Sequence, residues 1–208
     1  MKNIVKDLVV LVADKNTQFT LQGLFSRTKS FGIQDISQSY DIFSHPQRDP
    51  GCYRQCVDFL RPFINGYKHS LVIFDHEGSG QEDRSREEIE VELEQKLSDS
   101  GWNDRVSVIV LEPELESWIW SDSPHVERIL GWERQNLSLK DWLRAEEFLQ
   151  QEEIKPSRPK EALETALRVV SKPRSSAIYE QIAEKVSFLQ CQDNSFLKLK
   201  KVLKLWFS

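Results

Sequence analysis

The chain has 208 residues, 39% of them hydrophobic and 29% charged, with a formal net charge of −5. That balance suits one folded domain, alone or with a helical annex, and argues against a general nucleic-acid binder, which carries a basic excess. The longest apolar run is far too short to span a bilayer, and Met1-Lys2-Asn3-Ile4 lacks the apolar stretch of a secretory signal, so a cytoplasmic protein without membrane contact is expected.

Residues 8–13 are nearly all apolar and rich in β-branched side chains, the pattern of a central strand covered on both faces. The polar stretch Asp14-Lys15-Asn16-Thr17 carries capping residues. A helix follows, with Phe19, Leu21, Leu24 and Phe25 on its apolar side, and closes at Gly32. A second strand is predicted at residues 40–43. His45-Pro46-Gln47-Arg48-Asp49-Pro50-Gly51 is a loop dense in turn formers. From Cys52, the spacing of Cys56, Phe59, Leu60, Phe63 and Ile64 predicts a helix ending near Gly66. Cys52 and Cys56 share one face of it as reduced residues. Three cysteines make no disulfide framework, and no further soft ligands stand at zinc-site spacing.

Residues 70–74 form the next strand and run into Asp75-His76-Glu77-Gly78-Ser79-Gly80, whose glycines let backbone bend sharply or approach a ligand. Residues 82–98 make an amphipathic helix with Ile89, Leu93 and Leu97 as its stripe. Residues 106–111 are another buried strand. Pro113 then suits the first turn of a helix, with Glu114 and Glu116 near its positive end and Leu115, Trp118 and Ile119 buried. After residue 122 the strand signal stops. Residues 138–151, 159–170, 177–188 and 195–206 look helical, and Lys198, Lys200, Lys201 and Lys204 form a solvated face of the last helix. This pattern predicts an α/β fold. A mostly parallel central sheet with flanking helices occupies residues 1–122. A helical C-terminal part, residues 123–208, packs on that core or continues it as one domain.

Three of the strands break off into an acidic residue: Asp14, Asp75 and Glu112. In open α/β sheets ligands gather at the carboxyl ends of strands. Asp14, Asp75, Glu77 and the segment with Glu114 and Glu116 can therefore meet at one rim and hold a hard cation such as Mg²⁺ or Mn²⁺. His45 is a candidate proton carrier and Arg48 a phosphate fork, since their loop borders the same rim. Trp118 and Trp120 flank the rim and are candidates for base stacking. No phosphate-binding loop, dinucleotide fingerprint or nucleophile elbow is present.

Val12-Ala13-Asp14, then Ile73-Phe74-Asp75-His76-Glu77-Gly78-Ser79-Gly80, then Pro113-Glu114-Leu115-Glu116-Ser117-Trp118 resemble a Toprim-like family of small bacterial proteins of the domain-of-unknown-function type. Asp193-Asn194-Ser195-Phe196 is similar to that family's last segment. With His45-Pro46-Gln47-Arg48-Asp49-Pro50-Gly51 included, the pattern is also similar to a component of a bacterial methylation-associated phage-defence system. The resemblance implies that Asp14 is the general acid or base, and that Asp75 with Glu77 binds the metal. It implies a substrate that is a phosphodiester or nucleotide, and partners that are other subunits of a defence system. Two departures bear on reach: Asp14 stands where the family has a longer Glu, and Glu77 where it has a shorter Asp. The alternatives are a non-enzymatic adaptor that docks a partner through its helical half and a small-nucleotide hydrolase that acts alone. Asp14, Asp75 and Glu77 within reach of one cation favour the metal; wide separation favours the adaptor.

Overall fold

A computed structural model describes residues 5–121, 123–188 and 191–208. The N-terminal tetrapeptide read for a signal and the boundary residue 122 lie outside the described residues. Four parallel strands build the sheet: β1 (Lys6–Val12), β2 (Tyr40–Ser44), β3 (Tyr67–Asp75) and β4 (Val106–Leu111). Their order is β2-β1-β3-β4. Apolar residues along β1 divide by alternation. Leu8, Val10 and Val12 face one cluster, and Val9 and Ala13 the other, which is why the run carries no polar position.

One face is covered by α3 (Arg48–Leu60) and α4 (Arg86–Leu97), which bury Cys52, Cys56, Leu60, Ile89, Leu93 and Leu97. The other is covered by α1 (Lys15–Phe25) and the short α2 (Thr28–Phe31). The same apolar cluster continues into the C-terminal helices. These are α5 (Pro124–Leu130), α6 (Leu139–Ala145), α7 (Pro159–Val169), α8 (Ser176–Lys185) and α9 (Asn194–Phe207). Gly23 lets α1 and α8 touch: a Cβ there would lie 2.5 Å from the Glu180 carbonyl oxygen. No described helix is long and apolar enough to cross a membrane.

Several boundaries differ from those expected. The helix predicted from residue 82 starts at Arg86, because Ser85 and Glu88 cap each other's backbone N–H groups. The one predicted from Cys52 starts four residues earlier and ends at Leu60, passing into a 3₁₀ turn at Arg61–Phe63. The helix predicted over 138–151 stops at Ala145, where Glu147 takes a φ of +60° and the chain folds back on Leu143. Pro113 does not open a helix. It follows β4 through a cis peptide, and a 3₁₀ turn, Leu115–Trp118, comes after Glu114.

The connection from β1 goes to β2 on one side, and the next strand, β3, lies on the other. The crevice between the carboxyl ends of β1 and β3 is thus the switch point of the sheet, where open α/β folds place ligands.

Candidate metal centre

Asp14 follows β1 and Asp75 ends β3, so both stand at the switch point. The β3–β4 pairing aligns Asp75 with Leu111 and continues as the His76 N–H bonds to the Leu111 carbonyl and the Glu77 N–H to the Pro113 carbonyl. These bonds bring the strand extension carrying Glu114 and Glu116 alongside Asp75. The Leu115 N–H then donates to Asp75 Oδ1 at 2.9 Å. Asp75, Glu114 and Glu116 each offer a carboxylate oxygen, and the three lie within 4.8 Å of one another. Glu114 and Glu116 are buried, at 5% and 2% exposure, while Asp75 is half-buried.

The remaining expected residues sit around this trio rather than in it. Asp14 is the N-cap of α1, and its Oδ1 accepts from the Thr17 N–H at 2.9 Å and the Thr17 hydroxyl at 3.0 Å. It does not join the converged group. Glu77 does not either: the chain bends after His76, breaking the alternation that would aim residues 75 and 77 the same way, and Glu77 is exposed. Its charge still opposes ionisation of Glu114. The predicted Asp75–Glu77 pair is therefore replaced by Asp75 with Glu114 and Glu116. The expected trio of Asp14, Asp75 and Glu77 does not converge, which counts for the adaptor, and the case for a metal passes to the new trio.

His45 is buried at 5% exposure, packs on Phe59, and its Nδ1 accepts the Gln47 N–H at 3.1 Å. Burial lowers its pKa, opposed by the Gln55 side chain, and its packing makes the ring a loop brace. Gly51 has no room for a Cβ because the ring fills that space. Arg48 is exposed at the start of α3. Trp118 and Trp120 spend their indole N–H groups inside the protein, on Asp193 with Ser195 and on the Pro159 carbonyl. Lys198, expected in solvent, bonds Glu90 and Glu94.

Four residues without a role in the sequence reading complete the site. Asp49 Oδ1 accepts the Asp75 N–H at 2.9 Å. Arg174 and Tyr179 both donate to Glu116 Oε1, at 2.7 and 2.6 Å. The Lys160 N–H donates to Glu114 Oε1 at 2.9 Å, and its ammonium stands 3.6 Å from Oε2. Asp49 could have been found from its place in the rim loop. The other three come from the C-terminal helical region, and nothing in their local sequence marks them.

The electrostatics follow from this crowding. Burial, then the charges of Asp49, Glu116 and Asp14, hold the Asp75 pKa well above the ordinary carboxylate range, against the Leu115 N–H, which lowers it. Burial and the Glu116 charge raise Glu114. Burial also raises Asp49, opposed by its bond from the Asp75 N–H. Burial disfavours the Lys160 charge, but Glu114, Glu116 and Asp75 more than offset it. Glu116 has Arg174 and Glu114 has Lys160, whereas Asp75 has no lysine or arginine partner among the described residues. Three carboxylate oxygens within 4.8 Å of one another could hold a metal ion.

No protein-family model, curated protein or solved structure matches the chain.

The raised Asp75 pKa has a consequence for stability. Above the ordinary carboxylate range the unfolded chain releases the proton that the fold retains. The stability Asp75 contributes is therefore present at low pH and is lost as pH rises through its folded value. Asp75→Asn keeps the acceptor for the Leu115 N–H and removes the charge. In thermal melts the variant will exceed wild type at about pH 8, by roughly 2–4 °C for each kcal/mol relieved, and the gap will shrink by about pH 4. A gap that is constant with pH would refute the coupling.

Proposed function

We propose that the protein binds a divalent cation, Mg²⁺ or Mn²⁺, through Asp75, Glu114 and Glu116, with Asp14 beside it, and acts on or senses a phosphodiester or nucleotide. In this reading it is a cytoplasmic, Toprim-like component of a bacterial anti-phage defence system, working with other subunits. The observation that carries the metal assignment is the convergence of three carboxylate oxygens within 4.8 Å at the switch point of a parallel sheet. The order of the acidic motifs along the chain supports the Toprim-like and defence parts.

A bound cation would supply Lewis acidity toward a phosphate oxygen and lower the pKa of a coordinated water. Asp75 would give up its retained proton as the cation binds, and Glu114 and Glu116 would be the two other protein ligands. Lys160 and Arg174 limit the net negative charge that an anionic substrate meets. Asp14, which caps α1 near the centre, would be the proton acceptor in this reading.

The test is a thermal-shift titration. At a hundredfold excess over Kd, Mn²⁺ should stabilise the protein by about 2.7 kcal/mol, or roughly 5–11 °C. Asp75→Asn should abolish the shift. A wild-type melt that ignores millimolar Mn²⁺ and Mg²⁺ would remove the metal. The adaptor reading has an observation of its own: Lys160, Arg174 and Tyr179 already bind two of the carboxylates and tie the C-terminal helices to the sheet rim. In that case the acids are a structural clamp, and metal has no effect.

A further inference from the structure

Ten of the thirteen arginines make an intramolecular hydrogen bond or ion pair. Arg27 binds two carbonyls, Arg105 caps a loop, and Arg84, Arg86 and Arg174 pair with carboxylates. Arg48, Arg54 and Arg134 make no such bond or pair among the described residues, and of these three Arg48 and Arg54 stand near the acidic centre. Both are exposed, both lie on α3, and both border the rim. Arg48 adjoins Asp49, whose carboxylate holds the Asp75 N–H. Arg54 reaches the loop that follows Asp75: its Nη2 lies 3.6 Å from where a Cβ on Gly80 would be.

Arg48 also has a φ of +52°, the left-handed region that glycine holds most cheaply and other residues occupy at a cost. No contact of its guanidinium offsets that cost. Fold stability therefore does not account for an arginine at this position. The two residues are six apart, which on a helix is about 9 Å along the axis and about a third of a turn around it, so they would grip different parts of a strand. An arginine fork matches a phosphate in shape and charge. The other cations at the rim, Lys160 and Arg174, are engaged with Glu114 and Glu116, so an anionic substrate needs further cationic contacts beside the metal.

We propose that Arg48 and Arg54 form a phosphate-binding arm next to the acidic centre. They would hold phosphates flanking the one at the metal, which makes the substrate a short phosphodiester strand rather than a compound with a single phosphate. This rests on the metal reading for the position of the central phosphate, but the arm itself is separable. Two cations, in a chain of net charge −5, are too few for a duplex, which is held by many phosphate contacts.

The test is fluorescence anisotropy with a labelled single-stranded ten-nucleotide DNA, run with Mn²⁺ and with chelator, across a salt series. Arg48→Gln and Arg54→Gln should each weaken binding about tenfold, as loss of a charge-assisted bond does. Each should also lower the salt slope by about 0.7, the contribution of one single-strand phosphate contact. Arg48→Gly should raise the melting temperature while weakening binding, a pair of opposite signs that a structural arginine cannot produce. Unchanged affinity and slope in both Gln variants would overturn the arm, and so would absence of binding by wild type or tighter binding of the matching duplex. Thermal shifts with Mn²⁺ on the same variants separate the two claims. A retained metal shift without arginine-dependent binding sinks the arm alone. Arginine-dependent binding in chelator, without any metal shift, supports the arm and sinks the metal.

Discussion

Arg174→Met will lower the melting temperature by roughly 6–12 °C. Glu116 is 2% exposed, and its Oε1 receives both the Arg174 guanidinium and the Tyr179 hydroxyl. Removing one partner of a buried ion pair strands the other charge in a poorly solvated place, at about 3–5 kcal/mol. The lower end applies, because the Arg174 side chain is 31% exposed and water can partly replace it. At about 2–4 °C per kcal/mol, that gives the stated range. Arg174 also pairs with Glu164 at 2.5 Å, but that pair is on the surface and adds little. Scanning calorimetry on the variant and on Arg174→Met with Glu116→Gln provides the check. The double variant should recover most of the loss, since a neutral amide no longer needs a counter-charge. A loss that Glu116→Gln leaves untouched would show that Arg174 acts through something else. The same variant discriminates between the two functional readings. A cation bound to Glu116 would stand in for the missing guanidinium, so Mn²⁺ should stabilise Arg174→Met more than wild type. A structural clamp would show no such rescue.

The second large effect is at Gly23. Helix propensity alone says that Gly23→Ala stabilises α1 by about 1 kcal/mol. The packing says the opposite. The new methyl would stand 2.5 Å from the Glu180 carbonyl oxygen and 2.9 Å from the Ala183 Cβ. A carbonyl oxygen of a helix cannot swing aside like a flexible side chain, so α8 itself must move. Overpacking of this kind costs about 1–3 kcal/mol, enough to reverse the propensity gain. Gly23→Val adds bulk at the same point and should lose about 3 kcal/mol or more, roughly 6–12 °C. Chemical denaturation of both variants tests this, and a Gly23→Ala protein more stable than wild type would refute the close approach. Because α8 carries Tyr179, displacing it should also loosen Glu116 and weaken any Mn²⁺-induced shift.

The parallel sheet was legible because three of its strands, β1, β3 and β4, contain short apolar runs without alternation, a pattern that requires cover on both faces. Asp14, Asp75, Glu114 and Glu116 were legible as rim residues for the same reason: they stand where such runs end. Which of them converge was not. Asp75 and Glu77 looked like the natural pair, two residues apart, but the bend after His76 separates them, and the Leu115 N–H draws the Glu114–Glu116 segment in instead. His45 looked like a proton carrier in a polar loop. Its burial against Gly51 and Phe59, invisible in the local residues, makes it a brace. The Glu147 turn ended a helix that periodicity carried on.

By itself, then, the amino-acid order determined the α/β class, the two-sided burial of the strands and the acidic character of one edge. Those properties arise from neighbours a few residues apart, through side-chain period and local hydrogen bonding. Only the tertiary structure decided that Asp75, Glu114 and Glu116 share a centre, that Lys160, Arg174 and Tyr179 balance it, and that Arg48 and Arg54 are left unspent. Each of those outcomes depends on charges and donors brought together from distant parts of the chain, where the strength of an interaction follows separation in space and exposure to water, and carries no local periodic signature.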